Sequence, residues 1–364
     1  MRILVVSSFV LPHAGGVEQF VAALRVLLAQ RGCEVRVLAC RRPGEDNTAD
    51  VVVPTRFLGP AGWPLPTGGW ATMWREAGRA DAIVANNSVH ALSAVAVLAG
   101  WLRRVPSLLV IHGSGQGVPP GARRIGAARA AFRRTLGRVA VRRSLAVSVS
   151  QVGVEGARRT YGVRAEYLPY PLPQLPAASP VPPPATGEAM RVVWIGRLAP
   201  EKDPLSAVEG VERLGARRPV ALDVYGDGPL RGRMEQLAAT RPWLILHGAR
   251  PWAEVLDAQE DAHACLSTSV WDNVQVAVLE ALARGVPVIS TRVGDALRYY
   301  MTPSLERWCL EPRDPDATAD ALEELLASYE EQRRAFAENG SRLQAIHRDA
   351  PRVLMDLIAS ARSR

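Results

Sequence analysis

At 364 residues the chain exceeds what one hydrophobic core usually supports, so two domains of roughly 150 to 200 residues are expected. With 48% hydrophobic and 22% charged residues it reads as globular, which excludes an intrinsically disordered protein. The net charge of +8 is concentrated between Ala82 and Val154, where ten arginines occur without a single Asp or Glu, and the remainder is slightly acidic.

The opening "MRILVVSSFVL" is as apolar as a signal peptide. It runs straight into "PHAGGVEQF" with no small-residue cleavage site, and so reads as a buried first strand. An amphipathic helix follows, "VEQFVAALRVLLAQRG", ending on Gly32, and then the apolar runs "EVRVLAC", "DAIVAN", "SLLVIH" and "SLAVSVS". Continuously apolar strands separated by helices predict a parallel sheet covered on both faces. The longest apolar run, "ALSAVAVLAGWL" at 91–102, is well short of the roughly 20 residues a membrane span requires, so a soluble or peripheral protein is expected. Cys33, Cys40, Cys265 and Cys309 show no metal-site spacing and read as reduced, buried thiols, which suits a cytoplasm.

In "RRIGAARAAFRRTLGRVAVRR", residues 123–143, the residues Ile125, Ala128, Phe132, Leu136 and Val139 recur at steps of 3, 4, 4 and 3. That is a narrow apolar stripe amid arginines. It fits a helix resting on the anionic inner face of a membrane, and equally a helix packed on its own sheet with a solvated basic back.

Residues 173–189, "PQLPAASPVPPPATGEA", form a proline-rich linker between an N-terminal domain, 1–172, and a C-terminal one, 190–344. Beyond it a second alternation appears, with "RVVWIG", "VALDVYG", "LILHG", "ACLSTS" and "VPVIS" as strands. From about Glu338 the chain reads as helix, and residues 345–364 can pack back on the first domain. The expected class is α/β: two Rossmann-like domains with parallel sheets facing each other across a cleft. Ligands bind such sheets at the carboxyl ends of the strands, so both inner rims are expected to carry the chemistry.

Five stretches stand at those ends. Gly15 and Gly16, between the first strand and first helix, let backbone amides approach an anion closely, or simply make a tight turn. His112 closes "SLLVI" and opens the glycine-rich "HGSGQG"; a lone histidine is also commonly structural. Arg197 and Lys202 flank a proline-containing turn after "VVWI" and suit a diphosphate, arginine as a fork and lysine as a compact charge. A solvated loop is the ordinary reading of such a pair, but Lys202 is the only lysine in the chain, so a surface role would be expected to fall to arginine. "GDGPLRG" at 226–232 almost matches a dinucleotide fingerprint, which Pro229 and the last spacing spoil. Asp272 and Glu280 lie eight positions apart in "WDNVQVAVLEALARGVPVI". Asp272 falls in a loop before a helix starting near Val274. Glu280 lies within that apolar helix, where a carboxylate is costly to bury unless hydrogen-bonded.

Together these residues resemble the retaining glycosyltransferases of family 4, which have the GT-B fold. The resemblance keeps that family's order over nearly the whole chain: "GGVEQFVAALRVLLAQRGCEV", "VIHGSG", "VSVSQ", "GRLAPEK", "YGDGP", "LHGA" and "WDNVQVAVLEALARGVPVI", the last in place of an E-x7-E block. It implies transfer of a sugar, with retention, from a nucleotide-diphosphate donor to a hydroxyl acceptor, with no cofactor or required metal. The acceptor would be a lipid-linked glycan, a natural product or a small sugar, and the enzyme cytoplasmic or peripheral on the inner face of the membrane. By that analogy Arg197 and Lys202 hold the diphosphate, Glu280 the ribose hydroxyls, Asp272 the donor sugar and His112 a hydroxyl near the reacting carbon. Amides at Gly16, Val276 and Ala277 complete the phosphate site, with Gly15 beside them. Three positions depart from the family: Asp272 stands where Glu is usual, Tyr170–Pro171 replaces Asn-Gly, and Gly294–Asp295 replaces a paired glycine.

Two other readings compete. An NAD-dependent oxidoreductase would need a clean G-x-G-x-x-G after the first strand, which this chain lacks. A nucleic-acid binder would suit the arginine cluster but lacks aromatic interleaving, since Phe132 is the only aromatic between Arg123 and Arg143.

Overall fold

A buried run of Ile, Leu and Val makes β1 (Arg2–Ser7) an inner strand of the first sheet, with Val5 paired to Val37 on one side and Val84 on the other. The structure is a computed structural model and describes residues 1–11, 15–41, 48–58, 63–87, 90–112, 131–172, 175–179, 181–295 and 299–363. The chain divides into two units, Met1–Pro173 with Ile346–Arg364, and Gln174–Ala345.

In the first unit β2 (Glu34–Cys40), β3 (Val51–Val53), β6 (Ala82–Asn86), β7 (Ser107–Ile111), β8 (Leu145–Ser148) and β9 (Glu166–Tyr167) join β1 in an all-parallel sheet of order β3-β2-β1-β6-β7-β8-β9. Between β3 and β6, β4 (Thr55–Leu58) and β5 (Trp63–Pro66) form a separate antiparallel hairpin. Neither the hairpin nor the two- and three-residue edge strands follow from the apolar runs, because such short segments hold no period to read.

Helix α1 (Gly16–Gln30) buries Phe20, Val21, Leu24 and Leu28 at helical spacing and stops where Gly32 takes φ 73°. Helices α2 (Trp70–Arg79) and α3 (Ala91–Leu102) follow, α3 burying most of its length against the sheet core. The arginine-rich segment is described only from residue 131. There a π-turn, Arg133–Gly137, runs into a short helix, Arg138–Arg142, and Phe132 and Leu136 pack against the core of the unit. These two members of the apolar stripe therefore face the protein's own interior, whereas Val139 is exposed; Ile125 and Ala128 lie outside the described residues. No helix among the described residues is long and apolar enough to cross a membrane.

In the second unit β10 (Met190–Ile195), β11 (Val220–Tyr225), β12 (Leu244–Gly248), β13 (Ala264–Ser267), β14 (Val288–Thr291) and β15 (Cys309–Leu310) form another parallel sheet, order β12-β11-β10-β13-β14-β15. Each of the five strands expected from the apolar runs is present. The carboxylate-bearing helix begins at Val276 rather than Val274, with Gln275 before it. Helix also begins earlier at the C-terminus than Glu338, as Tyr329–Arg348 followed by Ala350–Arg362. The last helix buries Leu354 and Ile358, and Arg362 donates to the Asp81 carbonyl of the first unit at 3.4 Å. All four cysteines are buried free thiols.

Candidate active site

Strand order reverses on either side of β1 in the first unit and of β10 in the second, and each reversal leaves a crevice at the carboxyl ends of the strands flanking it. The candidate residues gather there, one group in each unit.

In the first unit the group is built on the ends of β1, β6 and β7. The Ser7 hydroxyl donates to the Phe9 carbonyl at 2.7 Å and so accepts, at 3.1 Å, from the Asn86 amide nitrogen. That fixes the Asn86 amide with Oδ1 turned toward His112 Nε2, with which it forms a short hydrogen bond. Because Oδ1 can only accept, Nε2 carries the proton and Nδ1 presents a lone pair. Removal of the ring from water pushes the His112 pKa down to about 4, so it is neutral at physiological pH. The edge of Phe20 packs on the ring at a centroid distance of 4.9 Å. A neutral imidazole held in one tautomer is a fixed hydrogen-bond acceptor suited to a sugar hydroxyl.

Gly15 is the N-cap of α1 and Gly16 its first residue. The Tyr170 hydroxyl donates to the Gly16 carbonyl at 2.7 Å, and its own carbonyl meets the His347 ring at 2.7 Å. Tyr170, where the family usually has Asn, thus ties the glycine turn to the C-terminal helices. His13 and Ala14 before this turn, and "GSGQG" after His112, lie outside the described residues.

In the second unit two loops are laced together beyond β10 and β13. The amides of Val270 and Trp271 donate to the Glu201 carbonyl at 2.9 and 3.3 Å, and the Thr268 hydroxyl bonds the Asp203 carbonyl at 2.7 Å. This lacing brings Lys202 onto Asp272 in a close ion pair across 70 residues of sequence. The other oxygen of Asp272 accepts the Asn273 amide at 2.9 Å. Asp203 takes φ 46°, a left-handed backbone that L-residues seldom hold, immediately after the lysine and before Pro204 starts a helix. Arg197 lies on the same loop but is exposed, and no carboxylate among the described residues pairs with it.

Following Asp272, the buried Gln275 side chain bridges Ser267 and Ser290, at the ends of β13 and β14, and pins the N-terminus of helix Val276–Arg284 there. The amides of Val276 and Ala277 are the first two of that helix, where intrahelical partners are lacking. Glu280, one turn further on, is buried and accepts from Trp252 Nε1 at 2.8 Å. Desolvation raises its pKa to about 7, against the smaller opposing pulls of the Trp252 hydrogen bond and the Arg284 charge. The structure therefore joins Lys202 to Asp272 directly and places Val276, Ala277 and Glu280 on the helix that follows; it leaves Arg197 unjoined.

Sequence reasoning missed Asn86, Trp252 and the part played by the second glycine stretch. Asn86 carried the same signal as His112, a polar residue closing a parallel strand. "GDGPLRG" is a buttress and no nucleotide fingerprint: Leu198 donates to the Asp227 carbonyl at 3.0 Å, and Leu230 to the Leu198 carbonyl at 2.9 Å. Gly226 sits at φ 138°, and a Cβ there would overlap the Gly196 carbonyl oxygen, so this loop underpins Arg197 and Lys202. Gly226→Ala is expected to lower stability by about 1–3 kcal/mol, the scale of a forced backbone outlier. A larger loss of nucleotide binding than of thermal stability would place the strain on the cationic loop.

Residues 14–169 match the family model Glycosyltransferase Family 4, and residues 189–328 match Glycosyl transferases group 1. A GDP-mannose-dependent alpha-mannosyltransferase of Mycobacterium tuberculosis is 32% identical over 155 residues, 41% of this chain and 37% of that protein. The GDP-mannose-dependent alpha-(1-6)-phosphatidylinositol dimannoside mannosyltransferase of the same species is 28% identical over 178 residues, 49% of this chain and 46% of that protein. The chain thus spans less than half the length of these curated relatives. Among solved structures, Anabaena HepE in complex with UDP and glucose superposes with a TM-score of 0.75 at 15% identity, covering 99% of this chain and 100% of that one. That likeness shows the fold, GT-B.

Proposed function

The chain belongs to the group 1 glycosyltransferases of the family 4 type, and on that premise we propose that it moves a hexose from a nucleotide-diphosphate sugar to a hydroxyl acceptor with retention of configuration. The observation that carries this reading is the Lys202–Asp272 pair at the strand-order reversal of the second unit, shortly before the N-terminus of the helix Val276–Arg284 in the chain. A cation and the first amides of a helix suit a diphosphate, and the adjacent carboxylate suits the hydroxyls of the sugar attached to it. As the bond from sugar carbon to phosphate oxygen breaks, charge gathers on the departing diphosphate, where Lys202 and Arg197 meet it. Glu280 takes the ribose hydroxyls. In the first unit neutral His112 accepts from a hydroxyl near the reacting carbon, and Gly15 and Gly16 let backbone approach the phosphates. This division makes the second unit the donor-binding domain and the first the acceptor-binding domain.

The two mannosyltransferase relatives are named for GDP-mannose, which makes it the first donor to test. One of them is named for a phosphatidylinositol dimannoside, which supports a lipid-linked acceptor reached from the membrane surface. The proposed chemistry assigns charge neutralisation to Arg197 and Lys202 and requires no metal or cofactor, so chelation with EDTA is expected to leave turnover unchanged.

The test is a thermal-shift series with GDP, UDP and ADP, followed by release of nucleoside diphosphate from the corresponding sugars. One nucleotide is expected to stabilise the chain, and its sugar to turn over to an α-linked product. No stabilisation by any of them would overturn the reading, and a β-linked product from an α-linked donor would overturn retention alone.

A further inference from the structure

The three most exposed tryptophans of the described chain stand on neighbouring helices of the first unit. Trp70 and Trp74 are one turn apart on α2, each 43% exposed, and Trp101 ends α3 at 45%. Leu102 beside it is 62% exposed. The Arg103 guanidinium lies over the Trp74 ring at 4.9 Å and along α2 at Gly78, and that of Arg143 lies over the Trp101 ring at 4.2 Å. These cation–π contacts link α2, the end of α3 and the helix Arg138–Arg142 into one patch.

Around it Arg103, Arg104, Arg142 and Arg143 are exposed, and none pairs with a carboxylate among the described residues. The one acid that α2 contributes, Glu76, is buried and answered by Arg36 and Arg79. Arg104 follows the end of α3 at φ 59°, the left-handed region where glycine is unstrained.

We propose that this tip, Trp74, Trp101 and Leu102 ringed by Arg103, Arg104, Arg142 and Arg143, docks on the surface of an anionic lipid bilayer. Indoles partition to the headgroup level with the apolar body inward, and arginines beside them meet lipid phosphates; neither needs a pocket. The charge decides between occupants. A second copy of this chain on a two-fold axis would set arginines against arginines. RNA would need open ring faces for stacking, and one face of both Trp74 and Trp101 is already covered by a guanidinium. The patch takes Arg142 and Arg143 from the end of the segment 123–143, but not the apolar stripe of that segment, in which Phe132 and Leu136 pack on the core. It deepens the reading of a membrane-borne acceptor, yet the docking itself does not depend on sugar transfer.

Co-sedimentation of the full chain with vesicles of phosphatidylcholine alone, and of phosphatidylcholine with phosphatidylglycerol, tests it. Binding to the mixed vesicles only, weakening as salt rises, is expected. The pair Trp101→Gln with Leu102→Gln, and the triple Arg103→Gln, Arg104→Gln and Arg143→Gln, are each expected to lower it roughly tenfold or more. Nucleoside diphosphate binding, measured in the same variants, should not change, which separates failure of this proposal from failure of the donor site. Absence of binding to the anionic vesicles at low salt would overturn the proposal. So would binding that the Trp101 and Leu102 substitutions leave intact, or a patch-dependent dimer or RNA complex in its place.

Discussion

Lys202→Ala is expected to lower kcat/KM roughly 10²- to 10³-fold, the scale of losing one preorganised group from a site of developing charge. Two effects act in the same direction. The diphosphate loses a cation, and Asp272, whose side chain is only 13% exposed, is left as an unanswered negative charge facing the anion. Relief of the second effect gives the sharper test. Asp272→Asn frees Lys202 from its partner, so the bare nucleoside diphosphate, which carries no sugar for Asp272 to hold, should bind at least as well as to the parent protein. Transfer from the nucleotide sugar should nonetheless fall, mainly in kcat. In the double variant the two losses should not add, because the residues touch. Lys202→Arg keeps the charge but exchanges a compact ammonium for a fork, and should recover only part of the activity. If Lys202→Ala leaves the affinity for bare nucleoside diphosphate unchanged, Lys202 is only a structural partner of Asp272.

The chain's single lysine stands in a geometry that its sequence only hinted at. The isolated lysine and the strand before it marked the position, but the 70-residue separation from Asp272 hid the pairing. The same division holds across the chain. Strands such as "RILVV" and "VPVIS" were legible because sheets covered on both faces need unbroken apolar runs, and burial of Ile3, Val5, Val288 and Ile289 follows from that. His112 was legible from its place at a strand end. Its tautomer was not, because that depends on Ser7 and Asn86, which come from two other strands. The "GDGP" stretch was only a weak signal, because glycines that admit a phosphate and glycines that admit a neighbouring carbonyl look alike until the partner is known. The spacing around Phe132 left a membrane-facing and a core-facing stripe equally open, and packing decides for the core at Phe132 and Leu136 while Val139 stays exposed.

Glu280 gives the chain a pH dependence whose sign follows from its burial. Desolvation holds its pKa at about 7, above the ordinary 4.5, so below 4.5 the carboxyl is neutral whether the chain is folded or unfolded. Between those values the folded chain binds the proton and the unfolded chain does not, and stability falls as pH rises. With each tenfold difference in proton affinity worth about 1.4 kcal/mol, the loss is on the order of 3 kcal/mol and is complete by about pH 8. Glu280→Gln keeps an acceptor oxygen for Trp252 Nε1 and removes the charge. It should therefore raise the unfolding temperature at pH 8 relative to the parent protein and change it little at pH 5. Donor binding should run the other way. Ribose hydroxyls donate, so they prefer the carboxylate, and the ionised fraction climbs from roughly 0.1 at pH 6 to roughly 0.9 at pH 8 for a pKa near 7. Affinity for the nucleoside diphosphate should rise by up to about tenfold over that interval, because only the ionised fraction is competent. In Glu280→Gln the affinity should be weaker and lose this rise. Calorimetric titration at pH 6, 7 and 8 reads it directly, with unfolding followed at the same pH values. An affinity that climbs equally in both proteins would trace the pH dependence to phosphate ionisation, leaving Glu280 as a buried partner of Trp252.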